Sequence, residues 1–290
     1  MHSNNSAQKI ILNYTIALIP LILYGFYRNG IIVYQNYETS LFQLFKPIIL
    51  PAFSFFLGFL ADKYYFHHDS SESFTPLLMT ISAMLMPPTV NTILYLILSS
   101  ITIIISKFIS TKINLALFNK LLVIIAILFL SNYTYLNQYE SSISMHYNVI
   151  DLLFGRSSGG LAVTSSLLCL ISYIYLMSTS IYKKIIPPII ICTYLILNIF
   201  LLPIFSFHQL FNNFLNSTIL FASIFIATLP IYSPITLKEQ ITYSIIIGIT
   251  SFILINFLSV YEGIYIILLI TPLINKIVSK IAPKLILKKR

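Results

Sequence analysis

Of the chain's 290 residues, 58% are hydrophobic and only 9% are charged, and its mean hydropathy is +0.90. A soluble protein carries about a quarter charged residues, and a chain of 33.1 kDa has too little interior to hide this apolar excess from water. A water-soluble domain is excluded; the bilayer is the solvent to which the sequence is adapted.

Apolar runs bounded by charge or by Pro, Asn and Gly clusters predict an all-α polytopic membrane protein with about ten spans. In chain order the spans begin near Ile10, Leu41, Thr75, Thr92, Leu121, Gly160, Ile185, Ser217, Ile241 and Gly263. No small-residue cleavage site follows the first run, which therefore reads as an uncleaved span. Tryptophan is absent, so 20 Tyr and 22 Phe take its interfacial and packing roles.

The charges test this count. With both termini in the cytoplasm, 14 of the 17 basic residues fall inside, from Lys9 and Lys63 to the tail Lys284–Arg290. Arg28 and Arg156 fall outside, and Lys46 lies near the outer end of a span. This is the positive-inside bias of short loops, so the net charge of +9 expresses topology. Scattered through loops, it does not form a nucleic-acid patch, and its terminal cluster suits an anionic leaflet of a bacterial plasma membrane.

Two segments align without a gap: Thr75 to Pro87 reads TPLLMTISAMLMP and Thr218 to Pro230 reads TILFASIFIATLP, at an offset of 143 residues. An offset of half the chain implies two halves, 1–145 and 146–290, within one membrane domain. Five spans per half invert the second half relative to the first. In inverted repeats, short apolar segments ending in Pro at corresponding places are commonly broken helices whose ends face a site near the midplane. Broken helices are expected near Pro87 and Pro230; ordinary helix termination by Pro is the simpler alternative.

The eight carboxylates, Glu38, Asp62, Asp69, Glu72, Glu140, Asp151, Glu239 and Glu262, all avoid the middle of a span. A proton- or sodium-driven carrier usually keeps an intramembrane acid, so that class is disfavoured. His67 and His68 sit together in a polar loop, and His2, His146 and His208 are isolated, which is not a metal constellation. Cys169 and Cys192 sit singly in apolar runs and read as packing residues. Walker loop, HExxH motif and nucleophile elbow are all absent.

The most informative polar stretch is FGRSSGGLAVTSS, Phe154 to Ser166. Gly159 and Gly160 allow backbone to approach a ligand closely, and Thr164, Ser165 and Ser166 supply hydroxyls where the next helix begins. A serine-capped external turn explains the same residues equally well.

These residues, followed by ATLPIYSPITLKEQ (Ala227 to Gln240) and YEGIYIILLITPLIN (Tyr261 to Asn275), come in an order and spacing that resembles one family. Its members are the RnfD membrane component of Rnf electron-transport complexes and the NqrB component of the sodium-translocating NADH:quinone reductase. TPLLMTISAMLMPP and Asn114-Leu115-Ala116 extend the resemblance upstream, to about Lys9 through Ile281. The resemblance implies a ten-span inverted repeat that holds flavin within a larger membrane redox complex and relays electrons, coupled to ion movement. There are departures: Glu140 to Leu153 contains no threonine to anchor FMN covalently, the family's turn glutamate is Val163, and its break aspartate is Leu229. Gly159, Thr164, Ser165, Thr228, Pro230, Ser233, Pro234, Glu262 and Gly263 match the family's pattern, and Gly160 and Thr236 stand beside them. The resemblance thus implies FMN or riboflavin bound noncovalently by this set, with other subunits as partners. A small-solute transporter or channel of the same fold and a redox-silent scaffold are the alternatives.

Overall fold

A computed structural model of the chain describes residues 2–37, 39–65, 74–86, 88, 90–113, 149–155, 160–201, 214–215, 217–230, 233–257 and 278. The expected spans at Leu121 and Gly263 lie outside the described residues, as do Pro87, Arg156, Gly159, Glu262, Gly263, the Asn114-Leu115-Ala116 match, most of Glu140 to Leu153, and His67, His68, His146 and His208.

The described chain is helical: α1 (His2–Gly25), α2 (Val33–Tyr37), α3 (Leu41–Leu60), α4 (Thr75–Leu85), α5 (Thr92–Ile113), α6 (Val149–Leu153), α7 (Ser166–Ser178), α8 (Ile186–Leu201), α9 (Ser217–Phe221) and α10 (Leu237–Phe257). Three π-helical segments extend these: π1 (Phe26–Ile32) joins α1 to α2, π2 (Ala61–Tyr65) continues α3, and π3 (Ala222–Ile226) continues α9. Among the described residues there is no strand, only an isolated bridge between Gly160 and Val163.

Among the described residues three continuous helices, Gln8–Asn36, Leu41–Tyr64 and Leu237–Leu254, are long and apolar enough to cross a bilayer. Their surface chemistry is that of helices dissolved in lipid. The exposed stripe of α1 is Leu12, Ile16, Ile19 and Leu23, and that of α10 is Ile241, Ile245, Ile249 and Ile253. The buried faces carry the polar groups: Ser54 in α3, and Ser244 and Ser251 in α10. Water would reverse this arrangement; hydrocarbon favours it, because a buried hydroxyl finds a partner and an exposed isoleucine loses nothing. Pro20 in α1 and Pro47 and Pro51 in α3 sit inside helices, as membrane helices tolerate.

Each helix start has a local cause. The Ser40 hydroxyl caps α3 by accepting from Gln43 N, the Asn91 carboxamide caps α5 by accepting from Ile93 N, and Pro76 opens α4, where its missing N–H costs nothing. The short helices differ from the long ones. The 11 residues of α4 rise about 16 Å, roughly half a bilayer core, and Thr75 through Met84 are all buried. Ser217–Ile226 is equally short, and every π3 residue is buried. α4 packs chiefly on α3, and α8 packs on α10. Tyr95 of α5 joins α3 and α4 by bonding Ser54 Oγ (2.9 Å) and Ser82 Oγ (3.1 Å).

Candidate functional site

The two short helices both end in irregular backbone, and the candidate residues gather at those two places. At the first, α4 stops at Leu85 and Met86 is extended. The glycine turn docks there: Leu161 N donates to Met86 O (2.6 Å) and Ala162 N to Met84 O (3.2 Å), which satisfies carbonyls that the helix end leaves open. Gly160 is required by proximity, since a Cβ on it would stand 2.6 Å from Met84 O. Asn29 Nδ2 donates to Leu161 O (2.8 Å), and Ser217 Oγ, where α9 starts, reaches Val163 O at 3.4 Å.

Just upstream, α6 ends at Gly155, whose φ of +69° is the left-handed conformation that suits glycine. The hydroxyls of Ser165 and Ser166 donate to Leu153 O and Leu152 O (both 2.8 Å), and Ser165 Oγ also accepts from Leu168 N (3.3 Å) to cap α7. Thr164 differs from both: it is 1% exposed and, among the described residues, its Oγ1 has no hydrogen-bond partner. An orphaned buried hydroxyl costs about 1–3 kcal/mol, so this is the polar atom with capacity left for a ligand.

At the second place, π3 runs out at Ile226 and the chain turns through Pro230 to α10. Thr228 Oγ1 donates to Ile224 O (2.5 Å); its one proton thus committed, it accepts from Tyr14 OH (2.7 Å). Tyr182 OH donates to Ile224 O (3.0 Å) and Tyr243 OH to Ala227 O (3.2 Å). Ser233 Oγ donates to Leu229 O (2.7 Å) and receives Lys183 Nζ (2.5 Å), which also bonds Ser233 O (2.7 Å). Gln240 Nε2 ties down Pro234 O (3.2 Å), while Thr236 is exposed and its Oγ1 receives Glu239 N (3.4 Å) at the start of α10. Between α7 and α8, burial lowers the Lys183 ammonium from 10.5 to about 8 and, together with nearby Tyr14, holds the Tyr182 phenol well above 10.

α1 measures the distance between these places. Tyr14 stands against Thr228, whereas Gly25 stands against Leu161 and Ala162. Eleven residues of α-helix separate them, a rise of about 16 Å. The structure therefore brings Gly160, Thr164 and Ser165 together, and separately Thr228, Ser233, Pro234 and Thr236, with the first half of the chain supplying partners to both. The sequence reading missed Tyr14, Tyr182, Lys183 and Lys46. Lys46, a basic residue near the outer end of an apolar span, carried a signal; the tyrosines, 20 alike, did not.

Among the described residues no group of His, Cys, Asp and Glu is placed to hold a metal ion. Cys169 is buried, Cys192 is exposed, and both are free thiols. Asp62 is fully buried in π2, near the end of the Leu41–Tyr64 helix, in keeping with carboxylates that avoid mid-span.

No curated protein matches the chain. The model of the NQR2, RnfD, RnfE family matches residues 1–284, almost the whole length and both of the places just described, and the chain belongs to that family.

Proposed function

We propose that the chain is the membrane subunit of an Rnf/NQR-type redox complex that holds FMN or riboflavin noncovalently at the glycine turn and works with partner subunits in a bacterial plasma membrane, both termini cytoplasmic. Family membership supports the class of complex. The observation that carries the cofactor reading is Thr164, whose buried Oγ1 lacks a partner beside a turn of close backbone approach. The other matching groups have their hydrogen bonds engaged: Ser165 with Leu153 O and Leu168 N, Thr228 with Tyr14 and Ile224, Ser233 with Lys183 and Leu229. The flavin would supply one- and two-electron transfer; this chain would contribute turn backbone and one hydroxyl that fixes orientation.

The inverted repeat of halves 1–145 and 146–290, with re-entrant short helices, belongs to the same proposal. It is supported by the recurrence of three successive helices of which the middle one is short and buried: α3, α4 and α5 begin at Leu41, Thr75 and Thr92, and α8, α9 and α10 at Ile186, Ser217 and Leu237. The successive offsets are 145, 142 and 145 residues.

The test is the visible spectrum of the complex purified with its neighbours, for wild type and Thr164→Val. Because Thr164 Oγ1 makes no bond among the described residues, the variant should assemble normally and hold flavin roughly tenfold more weakly, the worth of one buried hydrogen bond. A colourless wild-type complex, or unchanged flavin affinity in Thr164→Val, overturns the reading. The crowding at Gly160 favours a second reading, a redox-silent scaffold whose glycine turn is a packing joint between halves, and a colourless complex that assembles supports it.

A further inference from the structure

Each of the two irregular segments that follow a short helix receives a lysine. Lys46, in the second turn of α3 and only 6% exposed, directs Nζ to Pro88 O (2.8 Å) and to Val90 O, between the end of α4 and the start of α5. Lys183, just ahead of α8, directs Nζ to Ser233 O and Ser233 Oγ, between the end of π3 and the start of α10. Both lysines therefore lie near the start of the long helix that precedes a short one, and both close on backbone carbonyl after it. Ser233 Oγ in turn donates to Leu229 O, in the irregular segment that follows π3.

The two lysines lie at different levels of the α1–π1 helix. The ring of Phe45, beside Lys46, stacks on Phe26 with centroids 5.7 Å apart, and the ring of Tyr182, beside Lys183, lies 6.0 Å from that of Tyr14. Between Tyr14 and Phe26 the helix rises about 18 Å.

Unwound backbone carbonyls between helices coordinate monovalent cations inside membrane proteins. An ammonium is a compact single positive charge with three donors, the tethered equivalent of such an ion. We propose that Lys46 and Lys183 are built-in counter-cations that take the place of inorganic monovalent cations at the two helix breaks. The polar backbone at the breaks is thereby neutralised from within the chain, and an inorganic cation would have to displace a covalently held charge to occupy either one.

The experiment compares thermal inactivation of the purified full chain, alone or in its complex, in chloride salts of N-methyl-D-glucamine, sodium and potassium at equal ionic strength. Wild type should show the same half-life in all three. Lys46→Ala and Lys183→Ala should inactivate faster in N-methyl-D-glucamine and recover in sodium or potassium, with a gain of roughly tenfold at a cation concentration ten times its dissociation constant. Lys46→Arg and Lys183→Arg, which keep a charge at the break and guard against an alanine variant that does not fold, should remain insensitive to the choice of cation. Alanine variants as stable as wild type in N-methyl-D-glucamine, variants that no small cation rescues, or arginine variants that fail like alanine would each overturn the proposal.

Discussion

Replacing Gly160 by alanine isolates the joint between the glycine turn and the end of α4. The added Cβ would stand 2.6 Å from Met84 O, 3.0 Å from Leu85 O and 3.1 Å from Leu85 C, all backbone atoms that no side-chain rotation can move away. Forcing a methyl into such a contact costs about 1–3 kcal/mol. The turn can relieve it only by retreating, which stretches Leu161 N to Met86 O and Ala162 N to Met84 O, each worth about 1 kcal/mol when buried. The expected loss is therefore about 2–5 kcal/mol in unfolding free energy, read from reversible denaturation in mixed detergent–SDS micelles. Because the contact is steric, Gly160→Ser should lose at least as much. A Gly160→Ala change below about 0.5 kcal/mol, the scatter of ordinary surface substitutions, would refute the docking of the turn on α4.

Two further outcomes follow from the second helix break. Thr228→Val leaves the buried Tyr14 hydroxyl without its acceptor and should cost about 1–3 kcal/mol, whereas in Tyr14→Phe Thr228 keeps its bond to Ile224 O and the cost falls to about 1 kcal/mol. In a double-mutant cycle by the same denaturation, Tyr14→Phe combined with Thr228→Val should be more stable than the two losses added; strict additivity would mean that the hydroxyls do not interact.

The membrane class, the helical content and the positions of the short helices were legible in the sequence because they depend on local quantities. Hydropathy over a window decides whether a segment enters lipid, and the prolines at Pro76 and Pro230 set limits on a helix within a few residues of themselves. The glycine turn was legible too, and Gly160 does stand where backbones touch, yet its neighbours proved to be Met84 and Leu85, 75 or more residues away along the chain. What the sequence could not give was the grouping of the candidate hydroxyls. Thr164 and Thr228 look alike in the sequence, both preceding or following an apolar helix, but one is an orphan and the other carries Tyr14 from 214 residues upstream. Tertiary structure alone decided this, because hydrogen-bond satisfaction depends on which distant backbone and side chains the packing delivers to a buried atom. Lys46 makes the same point in charge: the sequence placed it near the outer end of a span, and only the fold supplied the carbonyls of Pro88 and Val90 that allow an ammonium to sit within a membrane helix.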